Sequence, residues 1–331
     1  MTARTRLLAC LLPAVLSGSA CDIAISADGV EGAFERQLTV SGPLELEVAS
    51  GSGDIIVHTG PAGAIHVKGR VRASTSPWSS FGGQSASERV RQIEKNPPIE
   101  QVGNRLQVGP KRWNEGWNGI SISYEITVPA NTRLAARSGS GDLEVADMTG
   151  PVETSTGSGD IRVGRIAESV RARSGSGEIG VDGAASVEAS TGSGNVVAGA
   201  ILGDLEARSG SGDIRVGQKG KGRVDVSTGS GDVEVTGATG PVHVRAASGD
   251  ILVEGTPASN WEVSASSGDV RLRLARQSGF DLDLRSNSGH IESSHAITTS
   301  GSQSRRELKG QVRGGGPLVH VTTSSGAILI Q

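Results

Sequence analysis

The chain of 331 residues carries 49 glycines, about 15 % against a usual ~7 %, with only 12 prolines and no strict Gly-X-Y period, which excludes collagen. Aromatics make up 2 %, so a core must be assembled from Val, Ile, Leu and Ala, and the regular apolar alternation excludes a disordered chain. Lys+Arg 32 against Asp+Glu 35 gives a net charge of −3, or −5 once Arg4 and Arg6 leave with a leader, and no basic footprint for nucleic acid is present.

Residues 1–20 read as a secretory signal: Arg4 and Arg6, an apolar stretch from Leu7 to Leu16, then Ser17-Gly18-Ser19-Ala20 before Cys21. The apolar stretch is too short to span a bilayer. Two cleavages compete, because Gly18-Ser19-Ala20 satisfies the small-residue rule of ordinary signal peptidase while Ala20-Cys21 resembles a bacterial lipoprotein site, with Gly18 where leucine is usual. Cysteine arithmetic favours lipidation of Cys21: Cys10 leaves with the leader, so Cys21 has no intramolecular partner and no disulfide is possible in the mature chain. Residues 21–29 then form a short linker after the anchor, and Asp22 behind a lipidated cysteine would favour inner-membrane retention in a two-membrane host.

Residues 30–331 read as one domain with an insertion at 72–118. A Ser-Gly-(Asp/Glu/Asn/His)-(Ile/Val/Leu) signature places its third residue at Asp142, Asp160, Glu178, Asn195, Asp213, Asp232, Asp250, Asp269 and His290, in steps of 18, 18, 17, 18, 19, 18, 19 and 21. It occurs early at Asp54, and a degenerate copy, Ser325-Gly326-Ala327, ends the chain about two periods after His290. A fixed period near 20 means stacked units, none of which buries its apolar face alone.

Within each unit the apolar residues alternate with period two, the mark of strands. Eight residues before the signature come Leu134, Val152, Val170, Val187, Leu205, Val224, Val242, Trp261 and Leu282. Just after it come Leu143, Ile161, Ile179, Val196, Ile214, Val233, Ile251, Val270 and Ile291. These ladders face inward, with a parity slip across the glycine-rich corner, where glycine adopts positive φ without a Cβ clash. On the outward parity runs Arg137, Ser155, Arg173, Ser190, Arg208, Ser227, Arg245, Ser264, Arg285, an alternation that keeps like charges from facing each other in adjacent strands. Adjacent units also offer Glu144 with Arg162, Arg215 with Glu234 and Arg271 with Glu292, which favours one rung per period over a 36-residue coil. The fold class is therefore all-β, a β-solenoid of roughly a dozen rungs at ~4.8 Å, about 50–60 Å long.

The insertion breaks the period after Val71. Ser85 with Glu88 forms a capping box for a short helix to Lys95, which Asn96-Pro97-Pro98 stops, and strands resume at Leu106-Gln107-Val108 and at Ile120 to Val128. It concentrates Trp78, Phe81, Trp113 and Trp117, which either pack the helix onto the solenoid as a cap or form an exposed platform for an envelope protein or glycan.

Phe34-Glu35-Arg36 with Leu38-Thr39-Val40-Ser41-Gly42, Pro97-Pro98-Ile99-Glu100-Gln101, the strand Ser121 to Pro129, and the Gly-Ser-Gly-Asp repeats together resemble the bacterial β-strand-repeat "putative adhesin" family, in the style of the head-GIN adhesin-like β-helix proteins. The resemblance covers about residues 30–331. It implies an exported, often membrane-anchored envelope protein and transfers no catalytic or ligand residues.

Stacked acids at the signature could ligate Ca²⁺, but the Gly-Gly-x-Gly-x-Asp nonapeptide of calcium β-rolls is absent, and Asp and Asn are expected to bond turn N–H groups instead. Hydrolases and lyases on β-helices use carboxylate clusters for acid–base work, yet repetition alone produces columns of acids here. The six histidines show no metal-site spacing, and Gly139-Ser140-Gly141 lacks the Lys-Ser/Thr and helix of a phosphate loop. The expectation is a non-enzymatic envelope module without cofactor, nucleotide or metal. The alternative is a polysaccharide-acting hydrolase or lyase, distinguished by convergent, non-repeat acids in a groove.

Overall fold

The computed structural model describes residues 25–26, 29–75, 85–110, 119–299 and 304–331. It is an all-β solenoid. Each period lays down an approach strand, a glycine-rich corner and an exit strand, and successive periods pair in parallel at one rung per period. Approach strands pair in the register Leu134↔Val152↔Val170↔Val187↔Leu205↔Val224↔Val242↔Trp261. Exit strands pair as Leu143↔Ile161↔Ile179↔Val196↔Ile214↔Val233↔Ile251↔Val270. Both columns are buried and face each other across the core. A shorter third column of Met148, Ile166, Ala184 and Ile201, continued by the buried Gln218, lies beyond the exit strands. β-Branched and small apolar side chains suit this interior, because every inward position must pack against near-identical neighbours ~4.8 Å above and below.

The outward arginine–serine alternation stands in adjacent rungs from Arg137 through Ser264. Glu144 lies beside Arg162 and Arg215 beside Glu234. The third expected pairing is corrected. Arg271 and Glu292 both register against Leu329, because the exit strand Ile328–Ile330 lies between them. The C-terminal rung, with its approach strand Leu318–Ser325, is threaded between the Trp261–Ser267 rung and the Phe280–Ser286 rung rather than stacking two periods beyond His290. Corner residues therefore run in space as Asp250, Asp269, Ala327, His290. Val319, Val321, Ile328 and Ile330 are at most 1 % exposed, so this rung is built into the core. The strand Glu307–Val312 then runs antiparallel to Phe280–Ser286, and Ile297–Thr299 runs antiparallel to it in turn, at the C-terminal end.

At the other end, Glu45–Ser50 pairs directly with Arg133–Ser138, and Ile55–Gly60 with Leu143–Val145, so the Asp54 rung sits under the Asp142 rung across 88 residues of sequence. The expected continuation of the repeat through Ile65 and Val71 leaves the solenoid instead. Ala64–Ala73 reverses at Gly63, whose φ of 78° suits glycine, and pairs antiparallel with Gly29–Thr39 and Ile120–Pro129. The helix Ala86–Lys95 begins at the Ser85/Glu88 capping box, ends at Asn96 and buries Val90 and Ile93. It lies over Gly32, where a Cβ would collide with Val90 and Glu94. Phe34 and Tyr124 meet edge to face, ring centres 6.4 Å apart, beneath this cap.

Candidate functional site

The corner explains the repeat motif. A Ser or Thr four residues before the signature position turns inward and is buried. Its hydroxyl donates to the carbonyl of the rung below and accepts the N–H of its own glycine three residues on: Ser174 Oγ donates to the Gly159 carbonyl at 3.0 Å and accepts from the Gly177 N–H at 2.8 Å. Ser138, Thr156 and Thr191 repeat the arrangement. The glycines themselves correct the expectation of positive φ. Those of the earlier rungs do not adopt it; a Cβ on Gly141, Gly159 or Gly177 would instead fall well inside contact with a carbonyl oxygen of the rung below. Only in the later rungs do Gly231, Gly249, Gly268 and Gly326 take φ of 131–154°. There the Gly249 N–H donates to the Ser267 carbonyl and the Gly268 N–H to the Ser325 carbonyl, so no hydroxyl acceptor is required and Ala246 and Ala265 take its place.

The signature acids form a second column. Asp54 Oδ1 accepts the backbone N–H of Asp142 at 3.0 Å, Asp142 that of Asp160 at 2.8 Å, and Asp160 that of Glu178 at 2.9 Å. The pattern resumes at Asn195 and runs through Asp213, Asp232 and Asp250 to Asp269, which accepts from Ala327. It skips from Glu178 to Asn195, where the side chain is one methylene longer. Second oxygens meet arginines, as in Arg162–Asp160 and Arg215–Asp213, both 3.1 Å. These carboxylates fasten rung to rung, and among the described residues no group of three or more His, Cys, Asp or Glu could hold a metal ion.

One concavity, about 540 Å³, is a trough on the outer face of the approach strands, from Arg133 to Arg223 across the rungs. Its acids are ladder positions rather than convergent strangers to the repeat, and they are already partnered. Glu153 faces Arg137 at 3.7 Å, Glu188 meets Arg171 and Arg173 at 2.7 Å each, Glu206 pairs with Arg208, and Asp204 accepts the Arg223 N–H. Hydrogen bonds from Arg171 and Arg173 hold the Glu188 carboxyl below its ordinary value, opposite to what a general acid requires. Farther along the same column, His243 sits 3.5 Å from Asp225, and His320 3.7 Å from Asp283.

Cys21, Trp78, Phe81, Trp113 and Trp117 lie outside the described residues. Among those described, no helix is long and apolar enough to cross a membrane.

The family model "Toastrack DUF4097" matches residues 46–331, from the first inward ladder to the terminal rung. The chain belongs to this family. Solved structures similar to this Toastrack chain include a "putative cell adhesion protein" from Clostridium sporogenes, 13 % identical, covering 90 % of this chain and 98 % of that one with a TM-score of 0.22. A "putative adhesin" from Bacteroides fragilis is 10 % identical, with coverages of 90 % and 97 % and a TM-score of 0.34. A "putative lipid binding protein" from Parabacteroides distasonis is 11 % identical, with coverages of 90 % and 96 % and a TM-score of 0.38. No curated protein matches the chain significantly.

Proposed function

We propose that this Toastrack protein is an exported cell-envelope scaffold and adhesin-like interaction module without catalytic activity, anchored by a lipid on Cys21. The observation that carries this reading is the trough on the approach face. Its acids continue the ladders, and Glu153, Glu188 and Glu206 each face an arginine, so the trough offers a self-neutralised surface and no free acid–base pair. The signature acids are likewise engaged in fastening one rung to the next.

Recognition of an envelope protein or glycan is assigned to the 72–118 insertion, with Trp78, Phe81, Trp113 and Trp117 as anchors, because large aromatics dominate interface energies and the ladders supply few of them. Crosslinking in intact cells, followed by identification of the captured partner, tests this. Trp113→Ala with Trp117→Ala is expected to reduce capture several-fold with little change in thermal stability; a double variant that unfolds early yet captures normally once folded makes these aromatics a structural cap. Cys21→Ser is expected to abolish lipid labelling and move the protein to the soluble exported fraction, and unchanged membrane association would reject the anchor.

A further inference from the structure

The place of the terminal rung in space departs from its place in sequence, as does that of the Glu45–Gly60 rung, which lies between the Arg105–Pro129 strands and the Arg133–Val145 strands. Leu318–Ser325 pairs in parallel with Trp261–Ser267 on one side and with Phe280–Ser286 on the other, and Ile328–Ile330 is flanked likewise by Val270–Leu274 and Ile291–Ser293. Without this segment, two parallel strand edges would face each other across a gap one rung high. Unpaired edges of that kind are templates for strand addition.

The gap is filled in a defined register. Its register puts Val319 between Trp261 and Leu282, and Ile328 between Val270 and Ile291. Thr323 donates to the Gly268 carbonyl, and Asp269 accepts the Ala327 N–H. The segment that fills it is entered through Arg313-Gly314-Gly315-Gly316-Pro317, where Arg313 has φ of 50° and the three glycines φ of 86°, 84° and 158°. Three consecutive glycines give this link access to many alternative paths, and five residues reach at most about 17 Å.

We propose that this rung is exchangeable between copies: residues 318–331 of one chain occupy the gap in a second copy and receive its terminal rung in return, giving a strand-swapped dimer. All contacts of the inserted rung are preserved in the exchange, and only the path of the 313–317 link changes, which is the condition under which swapping costs little. Two copies joined in this way would present two insertions at once, and paired weak sites gain avidity through effective concentration.

The test uses the full chain with Cys10→Ser and Cys21→Ser. Ser264 and Thr322 are register partners on the outward parity, at the ~4.8 Å strand spacing that lies within disulfide range. Chains carrying Ser264→Cys are refolded at high concentration with differently sized chains carrying Thr322→Cys, and then oxidised. The expected result is a mixed covalent dimer, several-fold more abundant than from Ser227→Cys with Thr322→Cys, which are not register partners. Equal yields from the two mixtures would overturn the proposal. Deleting Gly314–Gly316 shortens the link and is expected to shift the chain to the dimer; a folded monomer in which Ser264→Cys and Thr322→Cys join within one chain would also overturn it. Should that deletion prevent folding, the comparison of the two mixtures decides.

Discussion

Ser174→Ala removes a hydroxyl that serves two rungs at once. The Gly177 N–H, in a buried corner, loses its acceptor at 2.8 Å, and the Gly159 carbonyl loses a donor at 3.0 Å. Alanine fills nearly the same space, so the effect is one of hydrogen bonding rather than of a cavity. A stranded buried amide costs about 1–3 kcal/mol, and the lost second bond adds about 1 kcal/mol. Water reaches this corner poorly, since Ser174 is only 7 % exposed. Solenoids open locally, because each rung touches only its neighbours, and so the effect concentrates around the substituted corner. Hydrogen exchange resolved to the Gly177 amide is therefore the assay, with acceleration between about fivefold and several-hundredfold expected from those energies. Ser155→Ala, on the outward parity beside Arg137 and Arg173, is the control and should stay within about 0.5 kcal/mol. Ala246→Ser supplies the reverse comparison, because the neighbouring Gly249 N–H already donates to Ser267, and it should bring no gain in protection. Exchange at Gly177 no faster in Ser174→Ala than in the parent chain would refute the hydroxyl column as the fastening of the corner.

Val235→Asp places an unpaired charge at a position with 0 % exposure and should cost several kcal/mol. Arg215→Asp, with half its side chain in solvent, should cost under about 1 kcal/mol, and similar melting shifts for the two would contradict the register. Because Arg171 and Arg173 lower the folded-state pKa of Glu188, its contribution is present above the unfolded carboxylate value near ~4.3 and is lost as pH falls through the folded value. Glu188→Gln should thus cost a fraction of a kcal/mol at neutral pH and nothing in strong acid, as read from melting temperature against pH; a constant difference would refute it. Millimolar Ca²⁺ should leave the melting temperature nearly unchanged, since the signature carboxylates are committed to backbone N–H groups; a rise of many degrees, reversed by chelator, would show a native-state site.

The amino-acid sequence by itself determined the period, the strand parity and the one-rung stacking, because a buried position in a parallel ladder must be apolar every time the chain returns to it: Leu134, Val152 and Val170 announce one another. The helix was legible for a similarly local reason, in the reciprocal bonds of Ser85 and Glu88. Of the candidate site, Cys21 and the tryptophans of the insertion stood out as departures from the repeat, whereas the trough was not foreseen: Arg171 and Glu188 are register partners in one outward column, but the Arg173–Glu188 contact joins two columns that share no local pattern. The Glu144–Arg162 pairing was readable because those residues lie one period apart. Only the tertiary structure decided which rungs are neighbours when the period is interrupted. Asp54 lies under Asp142, and Leu329 separates Arg271 from Glu292. Inward Val, Ile and Leu are interchangeable from rung to rung, so pairing energy barely distinguishes sequence order from an inserted order. The choice falls to what the connections allow: the glycine link before Leu318 carries the terminal rung back into the stack, and the antiparallel strand Glu307–Val312 follows the displaced rung. The corner glycines were legible as punctuation, but their reason, carbonyls of one rung lying against the Cα of the next, exists only once the rungs are stacked.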